Sequence, residues 1–126
     1  MFLVGADAAL AARLGADGVH LPQRMAWRAA GLKRARQGWI VTCAAHSPAA
    51  IVQARRAGAD AVLLSPVFLS ASPSAKGRWI GALRFAALCR GAKLPVYALG
   101  GVGPKTARRL TRSGAVGLAA VDAFNR

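Results

Sequence analysis

Three times along the chain an alanine-rich helical stretch stops at Gly-Ala and gives way to an apolar run. The three instances are Leu14-Gly15-Ala16-Asp17-Gly18-Val19-His20-Leu21, Ala57-Gly58-Ala59-Asp60-Ala61-Val62-Leu63-Leu64 and Ser113-Gly114-Ala115-Val116-Gly117-Leu118-Ala119. Glycine just past a helix end takes the left-handed conformation without a Cβ clash and lets the last helical carbonyls find donors. Each junction therefore reads as helix, cap, short turn and buried strand, the rhythm of a (β/α) repeat. Sheets of that kind carry their chemistry on loops beyond the carboxyl ends of the strands, so only a few loops need searching for function.

With 126 residues the chain is expected to form one domain, well short of the roughly 250 residues of a closed eight-unit barrel. Uncharged stretches run from Gln37 to Ala54 and from Ala61 to Ala75, but His46-Ser47-Pro48 breaks the first and Ser and Pro break the second. Neither offers the ~18 consecutive apolar residues of a membrane span. The apolar start Met1-Phe2-Leu3-Val4 has no basic flank and is interrupted by Asp7, which speaks against a secretory signal. Cys43 and Cys89 are too few for a disulfide framework, so a reduced, cytoplasmic protein is expected.

The net charge of +14 points to an anionic partner: nucleic acid, a phosphate ester or an acidic protein surface. The basic residues fall as singles and pairs on or beside predicted helices, among them Arg24, Arg28, Lys33, Arg55, Arg56, Lys105, Arg108 and Arg109. A solvated helix face and a working anion surface both remain open. Trp27, Trp39 and Trp79 are too scattered for a base-stacking platform, which disfavours nucleic acid.

Apolar patterning predicts strands at Met1 to Val4, Gly18 to Leu21, Trp39 to Cys43, Ala61 to Pro66, Pro95 to Leu99 and Val116 to Val121. Helices are predicted at Ala8 to Leu14, Met25 to Arg36, Pro48 to Ala57, Ile80 to Arg90 and Pro104 to Arg112. Ser47-Pro48 and Gly103-Pro104 place Pro at the first helical position behind a suitable cap. The loop from Phe68 to Trp79 has the length of a functional or mobile segment.

Several segments, in order, resemble the thiamine-phosphate synthase and thiazole tautomerase family. They are Gly15-Ala16-Asp17-Gly18-Val19-His20-Leu21-Pro22-Gln23, Ala45-His46-Ser47, Gly58-Ala59-Asp60, Ser65-Pro66-Val67-Phe68, Pro95-Val96-Tyr97-Ala98-Leu99-Gly100-Gly101-Val102 and Gly117-Leu118-Ala119-Ala120-Val121. The resemblance implies an α/β fold of the (β/α) TIM-barrel type, incomplete, with about six parallel strands and covering helices. It implies a single domain over 1–126 that lacks the family's first two strands and its pyrimidine and phosphate motif. Uncovered edges on such a sheet lead to the expectation of a homo-oligomer, which sedimentation or light scattering decides.

The same resemblance implies a phosphorylated thiazole substrate and, for a synthase, magnesium. Here the departures count. Gly5-Ala6 stands where a synthase has Asn-Asp, and Pro22-Gln23-Arg24-Met25 where it has Gly-Gln-Glu-Asp, so the magnesium carboxylates are lost and no cofactor is expected. Ala44 replaces the serine that contacts pyrophosphate, and Ser70-Ala71-Ser72-Pro73 keeps two hydroxyls of Thr-x-Thr-Lys, with Lys76 a stand-in for the lysine. What survives is the phosphate end, at Gly100 and Gly101 together with the amides of Val121 and Asp122. The alternative is that Gly100-Gly101 is merely a tight strand-to-helix turn.

His46 is the catalytic candidate. It ends a predicted strand just before a capped helix, where an imidazole can shuttle a proton at neutral pH. The tautomerase branch of the family uses a histidine there without metal. The alternative is that His46 caps the next helix or bonds within the rim. His20, alternating with Val19 and Leu21, reads as structural, and Cys43 and Cys89 as small core residues. Two functions are carried forward: a thiamine-biosynthesis protein, tautomerase-like or catalytically degenerate, and a non-catalytic basic protein that binds nucleic acid or another polyanion.

Overall fold

The first two Gly-Ala junctions fold as their sequence predicts. In the computed structural model, which describes residues 1–71 and 77–121, the helices Ala8–Arg13 and Pro48–Arg56 are each followed by a left-handed glycine, Gly15 at φ +62° and Gly58 at φ +87°. Gly15 N–H donates to Ala12 O and Ala16 N–H to Ala11 O; Gly58 N–H donates to Arg55 O and Ala59 N–H to Ala54 O. These paired bonds satisfy the last carbonyls and turn the chain back toward the sheet.

The elements run β1 (Leu3–Gly5), α1 (Ala8–Arg13), β2 (Gly18–Leu21), a 3₁₀ helix (Gln23–Arg28), α2 (Ala29–Ala35), β3 (Ile40–Ala45), α3 (Pro48–Arg56), β4 (Ala61–Leu64), α4 (Ala82–Ala92), β5 (Val96–Ala98), α5 (Pro104–Ala107) with a 3₁₀ turn (Arg108–Leu110), and β6 (Gly117–Leu118). The strands lie in chain order, β1 to β6, in an α/β fold of six parallel strands. Register sets Leu3 beside Gly18, Gly18 beside Ile40 and Tyr97 beside Gly117. The chain divides into two compact units, Met1–Val62 and Leu63–Arg126.

In the first unit, Val19, Leu21, Val41, Cys43 and Ala45 are fully buried, and Ala11, Ala29, Ala50, Ile51 and Ala54 of the helices join that core. Alanine on the helices lets them approach the sheet closely. The period of two puts Leu3, His20, Ile40 and Thr42 on the other face, where all but Thr42 are only half-buried.

Both Gly-Ala-Asp turns end in the same device. Asp17 N–H donates to Phe2 O while its carboxylate accepts from Phe2 N–H at 2.6 Å; Asp60 N–H donates to Val41 O while its carboxylate accepts from Val41 N–H at 2.8 Å. Each aspartate thus fastens its own strand to the start of a neighbouring one, at the end of the sheet opposite the strands' carboxyl ends. This bears out the assignment of Asp17 to the helix-to-strand turn. In the third repeat the position is Val116, whose N–H donates to Val96 O but which has no carboxylate to return the bond.

The second unit buries Leu64, Val67, Phe68, Phe85, Ala92, Val96, Ala98 and Leu110. Past β4 the chain is held on both sides. Val67 N–H donates to Leu99 O and Phe68 N–H to Gly100 O, while Ile80 N–H and Gly81 N–H donate back to Pro66 O and Val67 O.

Three predicted elements differ in detail. Met25 to Arg36 is a 3₁₀ helix followed by α2, because Pro22 fixes an extended start at φ −61°, ψ 154° and the tighter winding begins directly after it. Pro104 to Arg112 is one α-helical turn and then a 3₁₀ turn, and Val116 to Val121 contracts to Gly117–Leu118.

Candidate functional site

At the carboxyl ends of β2 and β3 two segments are tied together. Pro22 and Gln23 follow β2, His46 follows β3, and His46 N–H donates to Gln23 Oε1 at 3.1 Å. The cap of α3 is Ser47, whose Oγ accepts from Ala50 N–H at 3.1 Å, so helix capping does not account for His46. His46 is solvent-exposed and lines a groove of about 870 Å³ together with Pro22, Gln23, Arg24, Trp27 and Arg56. Sequence reading singled out His46 but not its anchor. Gln23 lies 23 residues away, and no short-range pattern signals such a bond.

In the second unit Gly100 and Gly101 adopt φ +88° and +63°. A Cβ on Gly100 would fall 2.8 Å from Pro66 Cα, and one on Gly101 would fall 2.4 Å from Leu69 O. These two glycines make a tight turn, enforced by the close approach of the preceding loop. Thr106 Oγ1 accepts from Gly103 N–H at 2.9 Å and donates to Gly101 O at 2.8 Å, which secures the start of α5. Among the described residues no hydrogen bond engages the N–H groups of Gly101 and Val102. Arg109 lies 4.9 Å from the centre of the Phe68 ring, which packs under this turn. Ser70 is half-buried and Val121 is exposed; Ser72, Lys76 and Asp122 lie outside the described residues.

The profile of thiamine monophosphate synthase matches residues 1–124. The thiamine-phosphate synthase of Alcanivorax borkumensis is 36% identical over 98% of this chain and 57% of its own length. That of Coprothermobacter proteolyticus is 36% identical over 93% of this chain and 54% of its own length. The thiamine phosphate pyrophosphorylase structure from Pyrococcus furiosus superposes with a TM-score of 0.79 at 26% identity, over 96% of this chain and 56% of that one. The chain belongs to the thiamine monophosphate synthase family. It spans a little over half the length of these relatives.

For this family member the donor set at the strand ends does not fit magnesium. Gly5 and Ala6 offer no side-chain oxygen at the end of β1, Met25 offers a thioether, and Asp7 caps α1 by accepting from Leu10 N–H at 2.9 Å. Among the described residues no three His, Cys, Asp or Glu side chains gather as a metal requires. A hard cation needs several oxygens, and these positions do not supply them. No helix among the described residues is long and apolar enough to cross a membrane.

Three residues read as structural from the sequence: Cys43, Cys89 and His20. Cys43 is fully buried in β3, and burial, with Asp60 nearby, pushes its thiol up to about 11. Burial also raises the Cys89 thiol to about 11, against the opposing Arg90 charge. His20 Nδ1 shares a 2.9 Å hydrogen bond with Thr42 Oγ1 across paired strands. Burial lowers the His20 pKa below its usual 6.5. The unfolded chain therefore takes up a proton at His20 as pH drops below about 6.5, while the folded chain resists until its lower pKa, so stability is lost across that window. Urea midpoints measured at neutral and mildly acidic pH are expected to differ less in His20→Gln than in the unmodified chain. Equal acid sensitivity in the two would assign the loss to another group.

Proposed function

We propose that this chain serves thiamine biosynthesis by binding a phosphorylated thiazole and moving a proton on it without magnesium, closer to a thiazole tautomerase than to a metal-dependent synthase. The observation that carries the reading is His46, placed at the carboxyl end of β3 and anchored through its N–H to Gln23, beside strand ends without magnesium carboxylates. A synthase must release diphosphate, and that leaving group needs a cation to absorb its charge. A tautomerase has no leaving group. A proton leaves one position of the substrate and returns at another, and an imidazole suffices for both transfers.

Phosphate binding is assigned to the second unit. Gly100 and Gly101 follow β5 and have no side chain to stand before their N–H groups, an arrangement that suits an oxyanion. Ser70, Ser72 and Lys76 of the preceding loop, and Val121 and Asp122 after β6, complete the assignment on the family's pattern.

The test is proton NMR of the phosphorylated thiazole carboxylate incubated with purified protein and excess EDTA. Isomerisation is expected to proceed unchanged by the chelator. Condensation with a pyrimidine diphosphate that stops on chelation would overturn the reading in favour of a synthase. Saturable binding without turnover would leave a degenerate member of the family.

A further inference from the structure

β1 stands at one margin of the strand order and pairs with β2 alone. Phe2 N–H and C=O both bond to Asp17, and Ala6 N–H donates to His20 O, so the even positions of this segment turn toward β2. Leu3 and Gly5 alternate with them and turn outward. Gly5 O accepts from Asp7 N–H, and among the described residues no hydrogen bond engages the N–H groups of Leu3 and Gly5 or the carbonyl of Leu3. Leu3–Gly5 is short, yet it carries no proline and no charge to guard the edge.

An apolar patch lies beside these open groups. Val4 faces the helices together with Val19, its partner in register, and Phe2, two positions back, shares that side. Phe2 is 53% exposed there. Leu14 ends α1 three residues before Asp17, whose bonds to Phe2 bring the end of that helix beside β1. Leu14 is 57% exposed, and Leu10, four residues earlier on the same helix face, is 38% exposed. Unpaired backbone and exposed apolar side chains thus coincide at one margin of the first unit, and each favours association.

Charge selects the occupant. The chain carries a net charge of +14, which keeps its copies apart over most of the surface. From Met1 to Gln23, however, Arg13 is the one basic residue and Asp7 and Asp17 are two of the chain's four acidic ones, so two copies can meet here without that repulsion. The edge is also complementary to itself. About a two-fold axis through Val4, Leu3 of one copy stands opposite Gly5 of the other, and both positions turn outward. Three residues of strand are little for a foreign peptide to hold, whereas a symmetric contact brings Phe2, Leu10 and Leu14 twice.

We propose that β1 pairs antiparallel with β1 of a second copy across this axis. Leu3 N–H donates to Gly5 O of the second copy and Gly5 N–H to its Leu3 O, and the same two bonds run in return. The axis stands perpendicular to the joined sheet, so the two α1 helices lie on the same side of it and cover Phe2, Leu10 and Leu14 between them. The contact does not depend on the chemistry assigned to His46.

Sedimentation velocity of the full chain at micromolar to submillimolar concentration is expected to show a monomer–dimer equilibrium. Leu14→Ser should weaken it about a hundredfold, because two-fold symmetry counts each lost leucine twice. Leu14 is exposed, so circular dichroism is expected to show an unchanged fold. Leu83→Ser, at a residue 90% exposed in the second unit, is the control and should leave the equilibrium where it was. Amide exchange read by NMR separates this edge from any other contact. The N–H groups of Leu3 and Gly5 should exchange more slowly as concentration rises, while that of Val4, already turned to β2, should not change. A dimer whose Leu3 and Gly5 amides stay unprotected, or one that Leu14→Ser leaves intact, overturns the proposal. A chain that stays monomeric throughout overturns it as well, and the edge would then be one for a strand of another protein.

Discussion

Gly18→Ala is expected to unfold the first unit or to cost it ~3 kcal/mol or more, at the upper end of what overpacking produces. Gly18 opens β2 and pairs with Ile40 of β3. A Cβ built on it would fall 1.8 Å from Ile40 O, 2.7 Å from Ile40 C and 2.8 Å from Ile40 N. Every clashing atom is backbone, so no rotamer change can relieve it; β3 itself would have to move away. That would loosen the pairing of Val19 with Val41 and of Leu21 with Cys43, whose side chains are fully buried. It would also disturb the bond from Ile40 N–H to Asp17 O. Urea unfolding followed by far-UV circular dichroism measures the effect. A midpoint unchanged from that of the unmodified chain would mean that the two strands do not approach as closely as the register implies. Gly31→Ala is the control. It lies exposed in α2 with only the end of the Arg34 side chain near, so it should be neutral or slightly stabilising.

Gly18 also marks the limit of what the sequence made legible. As a letter it belonged to the Gly-Ala-Asp-Gly motif beside Gly15, and both are glycines for different reasons. Gly15 serves its own local turn, at φ +62° with open space around it, and local geometry can be read from local sequence. Gly18 serves a neighbour 22 positions on, and only the folded sheet reveals that contact. The same division runs through the aspartates. Their place in a helix-to-strand turn followed from spacing, whereas their bonds to Phe2 and Val41 did not.

The helix starts were legible because Pro and Ser act within one turn. Ser47 caps α3, and Pro104 follows its Gly103 cap, as their order suggested. The 3₁₀ winding of Gln23–Arg28 was not legible. Met25, Ala26, Ala29 and Leu32 satisfy an α-helical spacing, and the choice between 3.0 and 3.6 residues per turn was made by how Pro22 enters and by the packing of Ala26 and Ala29. The groove wall carrying Arg24 and Trp27 depends on that choice, which is why the groove could not be read from the sequence. At the phosphate end the sequence left Gly100-Gly101 open between a turn and a cradle. The structure establishes the turn, and the cradle stands as part of the proposed function.

Under the proposed function, His46→Gln is expected to lower the rate of thiazole isomerisation by roughly 10²- to 10⁴-fold, the usual worth of a positioned acid or base. Glutamine keeps hydrogen-bonding capacity and similar bulk but cannot carry the proton, so KM should change little while kcat falls. The side chain is exposed and α3 is capped by Ser47, so the urea midpoint should stay where it was. Gln23→Ala separates chemistry from positioning. It removes the acceptor for His46 N–H without touching the imidazole, and a displaced base still works, only less often in reach. A smaller drop in kcat, about tenfold, is expected there. Gln23→Glu should recover most of the loss, because a carboxylate accepts the same bond. If His46→Gln turns over at the unmodified rate, the proton is carried by another group, and His20 is then the next to test. If Gln23→Ala falls as far as His46→Gln, and Gln23→Glu does not recover it, Gln23 itself takes part in the chemistry rather than holding the loop that does.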